Sequence, residues 1–171
     1  TFTVESTHAG ETTVSSGSGD DLFNVESNFG ALELDTGSGN DVVRIGSNTG
    51  DVGQFDPVKS ANETIDTVGS SLNANNGGES YIKGRLTLVA GIGTDDTLKV
   101  FDSADNSNEN GTLTSIEVTG LGMTAGIGYD GFEVIELNLS EGNTKLFIQS
   151  THANLTVVDL GDQAAGNSIN D

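Results

Sequence analysis

The chain has 171 residues, 24 glycines against one proline, no cysteine and a formal net charge of −20. That length allows one domain with a sizeable core. The absence of cysteine excludes disulfide staples, and the charge argues against nucleic acid and anionic lipid as direct partners, since both need a cationic face.

The first strand–turn–strand unit in chain order is "TTVSSGSGDDLFNV" from Thr12, and "ALELDTGSGNDVVRI" from Ala31 repeats it 20 residues later, Gly17 against Gly37. From Asn48 to Gly84 the period breaks. This stretch holds Pro57 and an Asn/Gly tract at Asn73–Gly78, and it reads as a loop-rich insertion on one edge with a strand expected at Thr64–Val68. "RLTLVAGIGTDDTLKV" from Arg85 resumes the unit, with Asp95 at the acid position and Leu98 one place late. "DSADNSNENGT" from Asp102 reads as a long loop, and "TGLGMTAGIGYDG" from Thr119 as a Gly-rich crossover. "VIELNLSEGNTKLFI" from Val134 and "LTVVDLGDQAAGNSIND" from Leu155 are degenerate units whose turns, at Gly142 and Gly161, lack the paired acids.

A longer repeat lies over the short one. Ser-Thr-His-Ala occurs at 6–9 and at 150–153, an offset of 144 that also relates Gly17 to Gly161. The chain therefore reads as a single continuous module, residues 1–171, slightly longer than one copy of a tandem repeat. Its first residue, Thr1, suggests a piece of something longer. The alternation at Leu32/Leu34, Val43/Ile45, Leu98/Val100 and Ile135/Leu137/Leu139 argues against disorder and for strands. The expected fold class is all-β: a parallel β-solenoid, β-roll or β-helix-like, with rungs of about 20 residues and one edge insertion. In it Phe23 and Val25 stack on Val43 and Ile45, and Leu32 and Leu34 line the other wall.

Stacked corners bring carboxylates together. Asp20 and Asp21 would stand about one strand spacing, roughly 4.8 Å, from Asn40 and Asp41. Two charges at that distance repel by about 1 kcal/mol in water and several times more at an effective dielectric near 20. A hard cation between them removes that cost, and calcium takes oxygen ligands from carboxylates and carbonyls. The metal candidates are Gly17, Gly19, Asp20, Asp21, Gly37, Gly39, Asn40, Asp41, Gly91, Gly93, Asp95 and Asp96.

The segments "SGSGDDLFN" (16–24) and "TGSGNDVVR" (36–44) resemble the nonapeptide of the repeats-in-toxin family. The matching residues are Gly17, Gly19, Asp21 and Phe23, then Gly37, Gly39, Asp41 and Val43. Ser16 and Thr36 depart from the pattern's first glycine, and the motif comes once per rung rather than twice. The resemblance implies a calcium-bound parallel β-roll in a secreted protein. "TLTSIEVTGLGM" (112–123), "GIGYDGFEVIELNL" (126–139) and "STHA" with its following strand resemble the tandem repeats of large haemolysin-like or adhesin-like secreted surface proteins. That resemblance implies an extended calcium-binding rod without catalytic activity.

The expected function is structural: an extracellular, calcium-binding module of an adhesin, surface layer or filament, located outside the cell or on its surface. Its partners would be neighbouring copies, head to tail, and cell-surface glycans, with no direct membrane insertion. One alternative is a self-assembling filament subunit without essential metal, glycosylated at the sequons of Asn62, Asn110, Asn138 and Asn154. A second is a β-helical polysaccharide lyase using Arg44 on an outward position. A flat threonine rank for ice binding is not regular here. His8 and His152 occupy equivalent places in the long repeat and read as structural turn residues.

Overall fold

A computed structural model describes residues 1–46, 72, 81–105, 107–139 and 144–160, and the backbone of 168–170. The expected strand at 64–68, the sequon at Asn62 and the turns at Gly142 and Gly161 lie outside these residues.

Among the described residues the chain forms fourteen short strands: β1 (Phe2–Val4), β2 (Thr12–Ser15), β3 (Leu22–Val25), β4 (Leu32–Asp35), β5 (Val42–Ile45), β6 (Leu86–Val89) and β7 (Thr97–Phe101). Then come β8 (Asn110–Leu113), β9 (Glu117–Gly120), β10 (Ile127–Asp130), β11 (Val134–Asn138), β12 (Lys145–Ile148), β13 (Leu155–Asp159) and β14 (Ser168–Asn170). They make two sheets. The first, in the order β1-β3-β5-β7-β11-β13, is parallel throughout. The second, in the order β14-β12-β8-β9-β10-β6-β4-β2, is mixed, because β9 runs antiparallel to both β8 and β10.

This corrects the expected parallel solenoid with uniform rungs. The 20-residue step holds between the corners of Asp21 and Asp41 but becomes 55 from Asp41 to Asp96 and 37 from Asp96 to Glu133. The mixed sheet has a local cause. Only residues 114–116 separate β8 from β9, and a parallel return needs a crossover of a dozen residues or more. The Thr114 N–H donates to the Glu117 carbonyl, and the Thr114 hydroxyl accepts the N–H groups of Ile116 and Glu117, closing a hairpin. The Tyr129 hydroxyl donates to the Thr114 carbonyl at 2.6 Å and ties β10 to that hairpin. Leu121 then turns the chain back with φ of 50°, unusual for a side chain that is itself fully buried. No helix among the described residues is long and apolar enough to cross a membrane.

The core lies between the sheets. Phe23 pairs with Val43 and Val25 with Ile45 in the first sheet, and Val43 pairs onward with Leu98, which pairs with Ile135. Leu32, Leu86 and Ile127 form the facing row. All these side chains are buried, each contributing about 1.5–3 kcal/mol relative to exposure. The first sheet also buries its other face. There Asn24, Arg44, Lys99 and Glu136 succeed one another across β3, β5, β7 and β11, all under 9% exposed. The Lys99 ammonium meets Glu136 at 3.1 Å. Burial lowers the pKa of Arg44 from its ordinary value.

The corner glycines set how closely neighbouring strands approach. A Cβ at Gly37 would fall on the Gly17 carbonyl, whereas one at Gly17 meets open space; both have positive φ. Gly17→Ala is therefore expected to cost about 1–2 kcal/mol, from backbone strain alone, and Gly37→Ala about 3 kcal/mol or more, because the methyl also collides. Urea unfolding of the two variants checks the order; equal midpoints would contradict close backbone stacking.

Candidate functional site

The Gly-x-Gly corners lie side by side. Ser18 bridges Ser38 and Ser38 bridges Ile92, both in parallel. The Gly17 and Gly37 carbonyls accept the N–H groups of Ser38 and Ile92, each at 2.9 Å. Gly17, Gly19, Gly37 and Gly39 all have positive φ. Gly91 and Gly93 do not, yet a Cβ on either would strike the Gly37 or Gly39 carbonyl.

The acids form two rows of backbone acceptors across these corners. In the inner row Asp41 Oδ1 accepts the Asp21 N–H at 2.8 Å, Asp96 Oδ1 accepts the Asp41 N–H at 2.7 Å, and Glu133 Oε2 accepts the Asp96 N–H at 2.8 Å. In the outer row Asp20 Oδ1 accepts the Asn40 N–H at 2.9 Å, and Asn40 Oδ1 accepts the Thr94 N–H at 3.2 Å. Each carboxylate thus satisfies an amide that the turn leaves without a strand partner. Asn40 shows that the outer place needs an acceptor oxygen and not a charge. The register also shows which acid is equivalent to Asp41. Val42 pairs with Thr97 and Val43 with Leu98, so Asp96 holds the inner place, and exposed Asp95 is the extra residue of a longer corner. Leu98 is therefore in register rather than late.

The resemblance implies calcium here, and the donor set can be tested against it. Asp41 and Asp96 are fully buried, and Oδ2 of each carries no hydrogen bond. Those unbonded oxygens are the atoms an oxygen-bound cation would take, but among the described residues the corner acids do not gather three converging carboxylates. Burial, with the charges of Glu133, Asp41 and Asp95, raises the Asp96 pKa, while the Asp41 amide lowers it.

A second acidic group was not singled out in the sequence, where it read as a loop. Asp102, Asp105 and Glu109 bring one oxygen each within 4.8 Å of one another. Asp102 and Asp105 are fully buried. Asp102 Oδ1 accepts the Leu72 N–H at 3.2 Å, and Asp105 Oδ1 accepts both the N–H and the hydroxyl of Ser107, at 2.9 and 2.5 Å. Burial pushes the Asp102 carboxyl well above the usual carboxylate range; Asp105 and Glu109 push it the same way, and the Leu72 amide opposes them. The legible signal was three acids within eight residues of one loop.

The remaining candidates are scattered. Arg44 points away from the apolar core but is 5% exposed, so it does not present a guanidinium to solvent. Asn110 and Asn154 are exposed, whereas the Asn138 side-chain nitrogen is buried. His152 joins Thr156 Oγ1 at 2.9 Å through Nδ1 and the Glu133 carbonyl at 3.2 Å through Nε2, while His8 Nδ1 accepts the Gly10 N–H at 2.7 Å. Asn28, another residue missed in the sequence, donates to the Gly30 and Gly84 carbonyls at 2.9 Å each and holds the opposite corner. No family model, curated protein or solved structure matches the chain.

If the inner acids serve as amide acceptors, Asp41→Asn keeps Oδ1 and removes a buried charge. Without added metal it should fold at least as stably as the parent at neutral pH. Asp41→Ala strands the Asp21 amide and should cost about 1–3 kcal/mol. A large loss in Asp41→Asn would refute the acceptor role. The raised Asp96 pKa means that the folded state holds this proton more tightly than the unfolded state. Its stabilising effect is full below the ordinary carboxylate range and fades as pH rises through the folded value. Melting temperatures in chelator should therefore vary less with pH in Asp96→Asn than in the parent over that window.

Proposed function

We propose that the chain is a structural module of a tandem array, each copy seating the first strands of the next. The reading rests on one comparison within the molecule. Residues 2–17 and 146–161 are repeat copies, yet among the described residues only the second copy is covered on its leading side. Strand β12, the counterpart of β1, pairs with β8 on one side and β14 on the other. Strand β13, the counterpart of β2, rests on β11. Among the described residues β1 and β2 pair only with β3 and β4, so no described strand covers their outer edges.

The side chains record the same difference. Phe2 is 41% exposed, stacked on Phe23 with ring centroids 4.9 Å apart, whereas its counterpart Leu146 is fully buried. A hollow of about 510 Å³ lies at the open end, lined by Val4, Glu5, Thr7, His8 and Thr12 among others. Thr156 bonds His152, while Thr12 Oγ1 is buried without a partner. A carbonyl only accepts, so His152 Nε2 donates to Glu133. His8 would make that bond to the Glu133 carbonyl of a preceding copy, releasing Gly10 and reaching Thr12. Open strand edges of this kind are templates for pairing, and here the chain carries its own example of the pair. The strands also exchange sheets between copies: β1 is in the first sheet and β12 in the second. Successive copies would therefore enter the stack with a half-turn.

In this reading the protein is a load-bearing rod of an adhesin, surface layer or filament outside the cell. The acidic surface keeps separate rods apart. Calcium at Asp41 and Asp96 belongs to the same proposal, as the cation that their unbonded oxygens would take.

A two-copy chain, residues 1–144 followed by 1–171, tests the array. One cooperative transition above the single chain's melting temperature is expected; two independent transitions, or no gain, would refute it. His152→Ala should cost the single chain about 1–2 kcal/mol for two hydrogen bonds. His8→Ala should be silent in the single chain and should cost that much when made in the second copy of the pair.

A further inference from the structure

We propose that Asp102, Asp105 and Glu109 form a calcium site, distinct from the Gly-Asp corners and independent of the tandem reading. Three carboxylates converge within 4.8 Å, and convergence alone would not make a site. The independent observation is the state of two of them. Asp102 and Asp105 are fully buried, and Oδ2 of each is shielded from solvent without a hydrogen-bond partner. Their other oxygens are engaged, Asp102 by Leu72 and Asp105 by Ser107. Leu72 and Ser107 thus hold the two side chains through Oδ1, and Oδ2 of each stays unbonded in the interior. Two buried carboxylate oxygens without donors, beside a third acid, lack a positive partner.

The donors name the ligand class. All three are carboxylates, with neither imidazole nor thiolate, which selects a hard cation. Calcium binds such oxygens at about 2.3–2.6 Å, so two of its ligands stand at most about 5 Å apart, and the three oxygens here all lie within 4.8 Å of one another. Magnesium needs a tighter octahedron at about 2.0–2.1 Å and keeps several waters, which suits an enclosed loop less well. The site would also anchor Leu72, a buried residue whose carbonyl accepts the Tyr81 and Ile82 N–H groups and whose own N–H rests on Asp102.

The test uses the full chain, stripped with chelator and titrated with calcium by calorimetry and thermal melting. The parent should bind calcium and melt higher with it. Asp105→Asn keeps the Ser107 acceptor and should weaken calcium binding at least about tenfold, melting in chelator no lower than the parent. Glu33→Gln, on the exposed face of β4, should leave this binding intact. No calcium binding by the parent, or parent-like binding by Asp105→Asn, would overturn the site. A response lost in Asp41→Asn and kept in Asp105→Asn would assign the ion to the corner instead, and an equal response to magnesium would overturn the choice of calcium. Should Asp105→Asn fail to fold, manganese added to the parent decides by paramagnetic broadening. Loss of the Leu72 and Ser107 amide signals first supports the loop; loss centred on Asp41 and Asp96 refutes it.

Discussion

Close approach of backbone at the corners is the constraint on which the remaining structure depends. At Gly37, Gly39, Gly91 and Gly93 a Cβ would occupy the place of a carbonyl on the neighbouring corner. With glycine there, the turn peptides themselves hydrogen-bond from one unit to the next, so the parallel ladder does not stop where the strands end. That contact brings successive units into register, and register in turn aligns Phe23, Val43, Leu98 and Ile135 into one apolar row. A side chain at the corner would disturb every pairing downstream, because a one-residue slip turns a strand's apolar face outward.

Electrostatics is then arranged around that backbone rather than against it. The chain carries 26 acidic and 6 basic residues, too few cations to pair each carboxylate. The inner acids at the corners take amide donors instead, which places partial positive charge on Asp41, Asp96 and Glu133 without any basic side chain. Two of the basic residues, Arg44 and Lys99, are buried where the amides are already committed to the ladder. On the outer face of the first sheet the strand amides pair with their neighbours, and buried Lys99 meets Glu136 directly. At Asp102 and Asp105, amide and hydroxyl donors likewise satisfy one oxygen of each aspartate and leave the other, as at Asp41 and Asp96, but here a third acid, Glu109, converges on them.

Much of the architecture was legible because period-two alternation and repeat spacing are properties of the sequence. The partners of Phe23, Val25 and the Gly17 corner follow from the 20-residue step. Legibility failed where length and pattern diverge. The extra residue Asp95 shifts the apparent motif, and only the pairing of Val42 with Thr97 shows that Asp96 stands over Asp41. The segment 112–123 alternates like its neighbours, so pattern alone does not distinguish a parallel strand from a hairpin. The three-residue connection and the hydrogen bonds of Thr114 decide for the hairpin. Arg44 occupies the face opposite Val43 and Ile45, as alternation predicts, but alternation does not tell whether that face is covered.

By itself the sequence determined the all-β character, the inward rows and the glycine–aspartate corners, because each depends on residues near one another in the chain or one repeat apart. Tertiary structure decided the mixed second sheet, the amide-acceptor role of the paired acids and the convergence of Asp102, Asp105 and Glu109. Those depend on which oxygens remain once the backbone has chosen its partners, and that choice is made between segments up to 56 residues apart. A carboxylate reads the same in sequence whether its neighbour is a cation, an amide or nothing; packing alone separates the three.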